Sequence, residues 1–163
     1  MGTGKSSVAR LACEYLQFDF LDTDDLIEAQ TGKSISDIFA QNGEEAFRSL
    51  ERNVVQDLTL RRNTVIATGG GLIVDPDNLA SLKTHALVVC LWASPETIWE
   101  RVRFQTHRPL LQSPDPLARI HQMLEERKPI YHQADAMILT DHRPPKEVVQ
   151  QVLYQFHMAR KGK

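Results

Sequence analysis

The stretch Met1-Gly2-Thr3-Gly4-Lys5-Ser6-Ser7, running straight into the helical pattern Val8 to Leu16, decides how the rest of the chain is read. It matches the second half of the phosphate-binding P-loop, G-x-x-x-x-G-K-[ST]. Each residue type has a physical task in that motif. Glycines let backbone N–H groups converge on phosphate oxygens, and the helix N-terminus adds partial positive charge. Lys5 is placed to bridge the β and γ phosphates, and Ser6 to ligate Mg²⁺. Gly2, Thr3, Gly4, Lys5, Ser6 and Ser7 are therefore the candidate nucleotide-binding residues, with ATP and Mg²⁺ as the implied ligands. A Gly-rich turn with a solvated lysine is the alternative for this fragment alone. The first glycine of the motif and the strand that normally precedes it are not in the chain, and in a doubly wound sheet that strand is usually central. A start called too late or a shortened chain is the expectation.

Outward from this motif, short β-rich runs alternate with longer helical patterns, the signature of a parallel sheet covered by helices. Phe18 to Leu21, Thr64 to Thr68, Ala86 to Trp92 and Ala136 to Leu139 read as strands, apolar on nearly every residue as strands buried on both faces are. Glu44 to Arg61 reads as a helix, with Phe47, Leu50, Val54, Leu58 and Arg61 at helical spacing. Pro95 opens a helix with Ser94 as N-cap, a further helix spans Leu117 to Arg127, and Pro145 to Arg160 is amphipathic. The proline-bearing segment between Phe104 and Pro116 reads as a loop, and residues 103–116 as a lid. The fold class is α/β, three layers in a P-loop NTPase-like arrangement, as one domain over residues 1–163.

Composition narrows the function classes. A length of 163 residues suffices to bury a core without disulfides or structural metal. Nineteen Lys and Arg against 21 Asp and Glu give a net charge of −2, so no positive excess exists to hold a nucleic-acid backbone. The longest apolar run, Ala86 to Ala93, is too short to span a bilayer. Cys13 and Cys90 stand apart in apolar surroundings, which reads as buried, reduced thiols in a cytoplasmic protein. An organellar targeting segment upstream of Met1 stays open. His107, His121, His132 and His142 show no zinc-ligand spacing.

The run Asp19-Phe20-Leu21-Asp22-Thr23-Asp24-Asp25 places acids at the carboxyl end of a predicted strand, where open α/β sheets bind ligands. Asp22 is a candidate for holding Mg²⁺ through water, and Asp24 for facing an acceptor hydroxyl as base. Thr23, Asp24 and Asp25 would serve equally as the cap of a helix from Leu26 to Gln30.

Taken together, Gly2-Thr3-Gly4-Lys5-Ser6, Asp22-Thr23-Asp24, Phe47-Arg48-x-x-Glu51, Gly69-Gly70-Gly71, Arg108-Pro109-Leu110-Leu111 and Arg127-x-Pro129-x-Tyr131 resemble the shikimate kinase series in order and spacing. The resemblance covers nearly the whole chain. It implies transfer of the ATP γ-phosphoryl group to the 3-hydroxyl of shikimate, in the chorismate pathway to aromatic amino acids. It makes Asp24, Lys5 and Arg108 catalytic, with Arg108 the lid residue over the transferring phosphoryl group. It makes Asp24, Arg48, Gly69, Gly70, Gly71 and Arg127 the shikimate-binding set, the two arginines gripping the carboxylate with their planar forks. Arg101 and Arg143 would lie around the adenine, and Ser6 and Asp22 at the metal.

Each assignment has a plainer counterpart. Arg48 has Glu44 and Glu51 at helical spacing and would form an exposed ion pair, while Arg127 would be a helix C-terminal cation before Pro129. Arg101 and Arg143 would equally be surface charges. The glycine triplet would be a flexible turn, although three glycines carry an entropic cost that a simple turn does not require. The expected partner is a small molecule, with no nucleic acid or membrane, bound by a monomer. Two rival functions stand beside this one: a related kinase acting on another polyol acid such as gluconate, and a non-catalytic binding protein that kept the fold.

Overall fold

The computed structural model describes residues 2–104 and 113–161. In chain order the elements are α1 (Lys5–Leu16), β1 (Asp19–Asp22), α2 (Thr23–Thr31), α3 (Ile35–Leu58), β2 (Thr64–Ala67), a 3₁₀ turn (Leu72–Val74), α4 (Pro76–His85), β3 (Val89–Trp92), α5 (Pro95–Val102), α6 (Pro116–Tyr131), β4 (Ala136–Leu139) and α7 (Pro145–Lys161). Arg108 and most of the expected lid lie outside the described residues.

Local chemistry sets the helix starts. Asp75, Ser94 and Asp115 each cap a helix whose first turn carries proline, their side chains accepting the N–H of Asp77, Thr97 and Ala118. Only Ser94 was expected in that role. Asp75-Pro76 is the local signal for α4, a helix that apolar periodicity does not predict. Two other helices differ from expectation. Gly43, at φ 81°, breaks α3 into two segments, of which only the second was expected. Helix α6 runs on to Tyr131 with Pro129 inside its last turn, so Arg127 sits within the helix and not at its end.

β1 pairs in parallel with β2, and β3 in parallel with β4. Among the described residues the two pairs are not hydrogen-bonded to each other, and the strand layer consists of two short ladders. Side-chain alternation nevertheless sends both pairs into the same two apolar layers. On one face Leu21, Ile66, Cys90 and Trp92 pack against the cluster built on Ile27, Phe47, Val54, Leu72, Ile98 and Ile120, from α2 through α6. On the other, Val65, Val89, Leu91 and Ile138 meet Val8 and Ala12 of α1 and Val148, Val149 and Leu153 of α7. The result is helix, strand, helix: the expected three layers. Both cysteines are free, and burial pushes both thiols up, so they remain protonated.

Candidate active site

A cleft of about 770 Å³ opens where the P-loop, the turn after β1, the glycine turn after β2 and the segment after β4 meet. Its walls include Gly2 to Ser7, Asp22, Asp24, Gly69 to Gly71, Arg101, Arg127 and Arg143.

The P-loop half is shaped by backbone conformation. Gly2 and Gly4 sit at φ 68° and 85°, where an L side chain is strained, and a Cβ on Gly2 would lie 2.9 Å from Val102 Cγ1. Gly4 then caps α1, directing the helix N-terminus at the cleft, with Lys5 and Ser6 in its first turn. Ser6 Oγ donates to Asp22 Oδ2 at 3.2 Å, so the two expected metal ligands, 16 positions apart in sequence, are neighbours. Two hard oxygen donors beside a phosphate loop fit Mg²⁺, which keeps waters and takes the rest of its shell from phosphates.

Asp22 is also the cap of α2: its Oδ1 accepts the Asp24 N–H at 3.0 Å. The cap therefore lies one residue before the Thr23-Asp24-Asp25 group expected to supply it, and the helix starts three residues earlier than expected, at Thr23. Asp24 is left with its side chain against the glycine turn, half-buried, and among the described residues its Oδ1 is enclosed without a hydrogen-bond donor. Burial, joined by the Asp22 charge and opposed by Lys5, pushes the Asp24 carboxyl up from the usual carboxylate range. A carboxyl raised in this way beside a phosphate loop is a candidate proton acceptor.

The glycine turn is held from three sides. Gly69 N–H donates to Thr23 Oγ1 at 3.1 Å, and Thr23 is fully buried. Gly70 O accepts from Tyr131 Oη at 2.8 Å and from Arg127 at 3.4 Å. Neither Thr23, expected only as a helix cap within Asp22-Thr23-Asp24, nor Tyr131, which closes Arg127-x-Pro129-x-Tyr131, was expected to hold the glycine turn. Arg127 projects from α6 into the cleft wall. Arg48 stands beside Gly71 of the cleft wall, its guanidinium bonded to Glu44 at 2.8 Å and to the buried Glu51 at 2.7 Å. Burial pushes the Glu51 carboxyl up, against the pull of Arg48.

At the opposite end, Arg101 donates to Thr140 O at 2.6 Å, Thr140 Oγ1 at 3.0 Å and Gly2 O at 3.3 Å. It is thus a strap between α5, the P-loop and the end of β4, still edging the cleft. Arg143 lines the same wall.

The family model described as Shikimate kinase matches residues 1–157. A shikimate kinase of Thermodesulfovibrio yellowstonii is 41% identical over 163 residues, covering 100% of this chain and 94% of its own. One from Thermus thermophilus is 46% identical over 154 residues, covering 94% and 84%. Among solved structures, shikimate kinase from Acinetobacter baumannii in complex with shikimate superposes with TM-score 0.91 at 37% identity, covering 100% of this chain and 91% of that one. The shikimate kinase of Aquifex aeolicus superposes with TM-score 0.86 at 36% identity, covering 100% and 95%. A P-loop, an acid pair and a glycine turn on one cleft, with matches that span the chain, place it: the chain belongs to the shikimate kinase family.

Proposed function

We propose that the chain transfers the γ-phosphoryl group of ATP to the 3-hydroxyl of shikimate, releasing ADP and 3-phosphoshikimate, with the residues of this cleft in defined roles. The observation that carries the reading is the convergence, on one cleft, of the P-loop with its Ser6–Asp22 pair and of Asp24 against the glycine turn. The P-loop N–H groups and Lys5 hold the polyphosphate, and Arg101 and Arg143 flank the nucleotide. Arg127 and the glycine turn receive the acceptor, and Arg48 joins Arg127 in holding its carboxylate. Asp24 accepts the proton of the 3-hydroxyl as its oxygen bonds to the γ-phosphorus and the bond from that phosphorus to the bridging oxygen of ADP breaks. Ser6 and Asp22 hold Mg²⁺, which offsets phosphate charge when bound. Arg108 acts from the lid on the same charge. Catalysis then consists of positioning and electrostatic stabilisation, as phosphoryl transfer requires. A cytoplasmic monomer is the state in which this chemistry is expected, and among the described residues no helix is long and apolar enough to cross a membrane.

The test is ADP release with MgATP, with and without shikimate, and with gluconate in its place. Release that depends on shikimate is the expected result. Turnover with gluconate alone would move the acceptor assignment, and nucleotide binding without turnover on either acid would overturn the enzymatic reading.

A further inference from the structure

The glycines at 69 and 71 are not required by backbone conformation. Gly71 lies at φ −96° and ψ −17°, open to any residue, and Gly69 is not among the left-handed glycines, which in the described residues are Gly2, Gly4, Gly32 and Gly43. Space is what an added side chain would lack. A Cβ on Gly69 would stand 2.7 Å from Asp24 Oδ1, and a Cβ on Gly71 would stand 2.5 Å from an Arg48 guanidinium nitrogen. In each case the obstructed atom is the end of a side chain with a role in the reaction.

We propose that Gly69 and Gly71 are positioning residues whose missing side chains leave room for the Asp24 carboxylate and for the Arg48 guanidinium that Glu44 and Glu51 hold. The proposal rests on the roles given above to those two side chains. Two observations support it beyond the close approach. Among the described residues Asp24 Oδ1 is enclosed with no donor bonded to it, so no hydrogen bond at that oxygen opposes its displacement by a side chain at position 69. The turn itself cannot easily retreat. It is pinned by the Gly69 N–H to Thr23, by Gly70 O to Tyr131 and by Gly71 O to the Val74 N–H at 3.0 Å. An alanine would therefore be relieved by displacing the side chain in front of it. The Gly69 N–H, already given to Thr23, is also not the ligand-facing donor that a glycine-rich turn suggests.

The experiment is Gly69→Ala and Gly71→Ala, alone and combined with Asp24→Asn and Arg48→Ala, followed by steady-state kinetics, shikimate calorimetry and thermal melts. Displacing a base by about an ångström is expected to lower kcat of Gly69→Ala by about 10²-fold. Its melting temperature should stay near wild type, and the loss should fall on kcat more than on shikimate affinity. Gly71→Ala should show the opposite split, with shikimate Kd weakened about tenfold and kcat little changed. Neither alanine should add to the loss already caused by Asp24→Asn or Arg48→Ala, respectively. Unchanged kcat in Gly69→Ala and unchanged affinity in Gly71→Ala, or losses that add fully in the double variants, overturn the proposal while the kinase reading stands. Collapse of the melting transition in both variants assigns the glycines to folding and overturns it as well. Normal turnover in Asp24→Asn would instead remove the role beneath the Gly69 half, an outcome recognisable because it appears without any glycine variant.

Discussion

Asp24 is a carboxylate kept where its charge is poorly solvated, and that has opposite consequences for stability and for catalysis. Burial first, and the neighbouring Asp22 second, raise its proton affinity in the folded state above that in the unfolded chain. Between the ordinary carboxylate value and the raised one the folded state binds more protons, so stability falls as pH rises through that window and stays lower above it. Asp24→Asn is therefore expected to melt at a higher temperature than wild type at pH 7 and at the same temperature near pH 3. Its kcat should drop by about 10²- to 10⁴-fold, with ATP binding retained. Calorimetric melts at the two pH values and a shikimate-saturated assay check both halves. For the wild type, the acid limb of kcat/KM for shikimate should lie above the usual carboxylate range. Arg127 reaches the cleft from α6 and touches Gly70 O, so Arg127→Ala should weaken shikimate binding with little effect on nucleotide. Titration calorimetry with each ligand separates the two, and an unchanged shikimate Kd would remove Arg127 from the acceptor site.

α3 carries an ion pair that is half in water and half in the core. Glu51 is 1% exposed and bonds Arg48, whose other nitrogen reaches the solvated Glu44. Removing the buried partner leaves Arg48 with Glu44 alone at the edge of the apolar cluster, and buried pairs broken on one side cost about 3 kcal/mol. Glu51→Ala should accordingly lose stability by roughly that amount in urea unfolding, whereas Glu44→Ala should cost about 0.5 kcal/mol or less. Equal losses would show that the Glu51 carboxylate has no special place. At the other end of the cleft, the end of β4 is tied to α5 twice. Arg101 bonds Thr140, and Asp141 Oδ1 accepts the Ser94 hydroxyl at 2.6 Å and its N–H at 2.9 Å. Burial alone would raise the Asp141 carboxyl, but these Ser94 bonds outweigh it and hold the carboxyl below its usual value. An element chosen for its apolar periodicity thus takes its working position from a few polar contacts at its ends.

The site joins four segments of the molecule that two short strand ladders hold at one edge, so ligands bound there should act on the whole. MgATP and shikimate, each at about a hundred times its Kd, should each stabilise the fold by about 2.7 kcal/mol. For a chain of this size that is a rise of roughly 5–10 °C in melting temperature per ligand, read by differential scanning calorimetry. A shift with ATP and none with shikimate would count against the acceptor assignment. At this scale the reach of the sequence is also clearest. Strand order of appearance, the parallel three-layer class, the Ser94 cap, the P-loop and the acid pair were all legible, because glycine, proline, carboxylate and apolar period act within a few residues of themselves. α4 and the first segment of α3 were missed because their signals were caps and a break, not a long stripe. Pro129 misled for a related reason, since proline breaks a helix interior but is carried in the last turn of α6. Local sequence supplies the residue types suited to phosphate, metal and carboxylate. It is the packing of the whole chain that brings Ser6 to Asp22, straps the P-loop to the end of β4 through Arg101, and leaves room at Gly69 and Gly71 for Asp24 and Arg48. Those contacts join residues 16 to 99 positions apart, and their geometry depends on how helices pack across the strand layer, which no local propensity encodes.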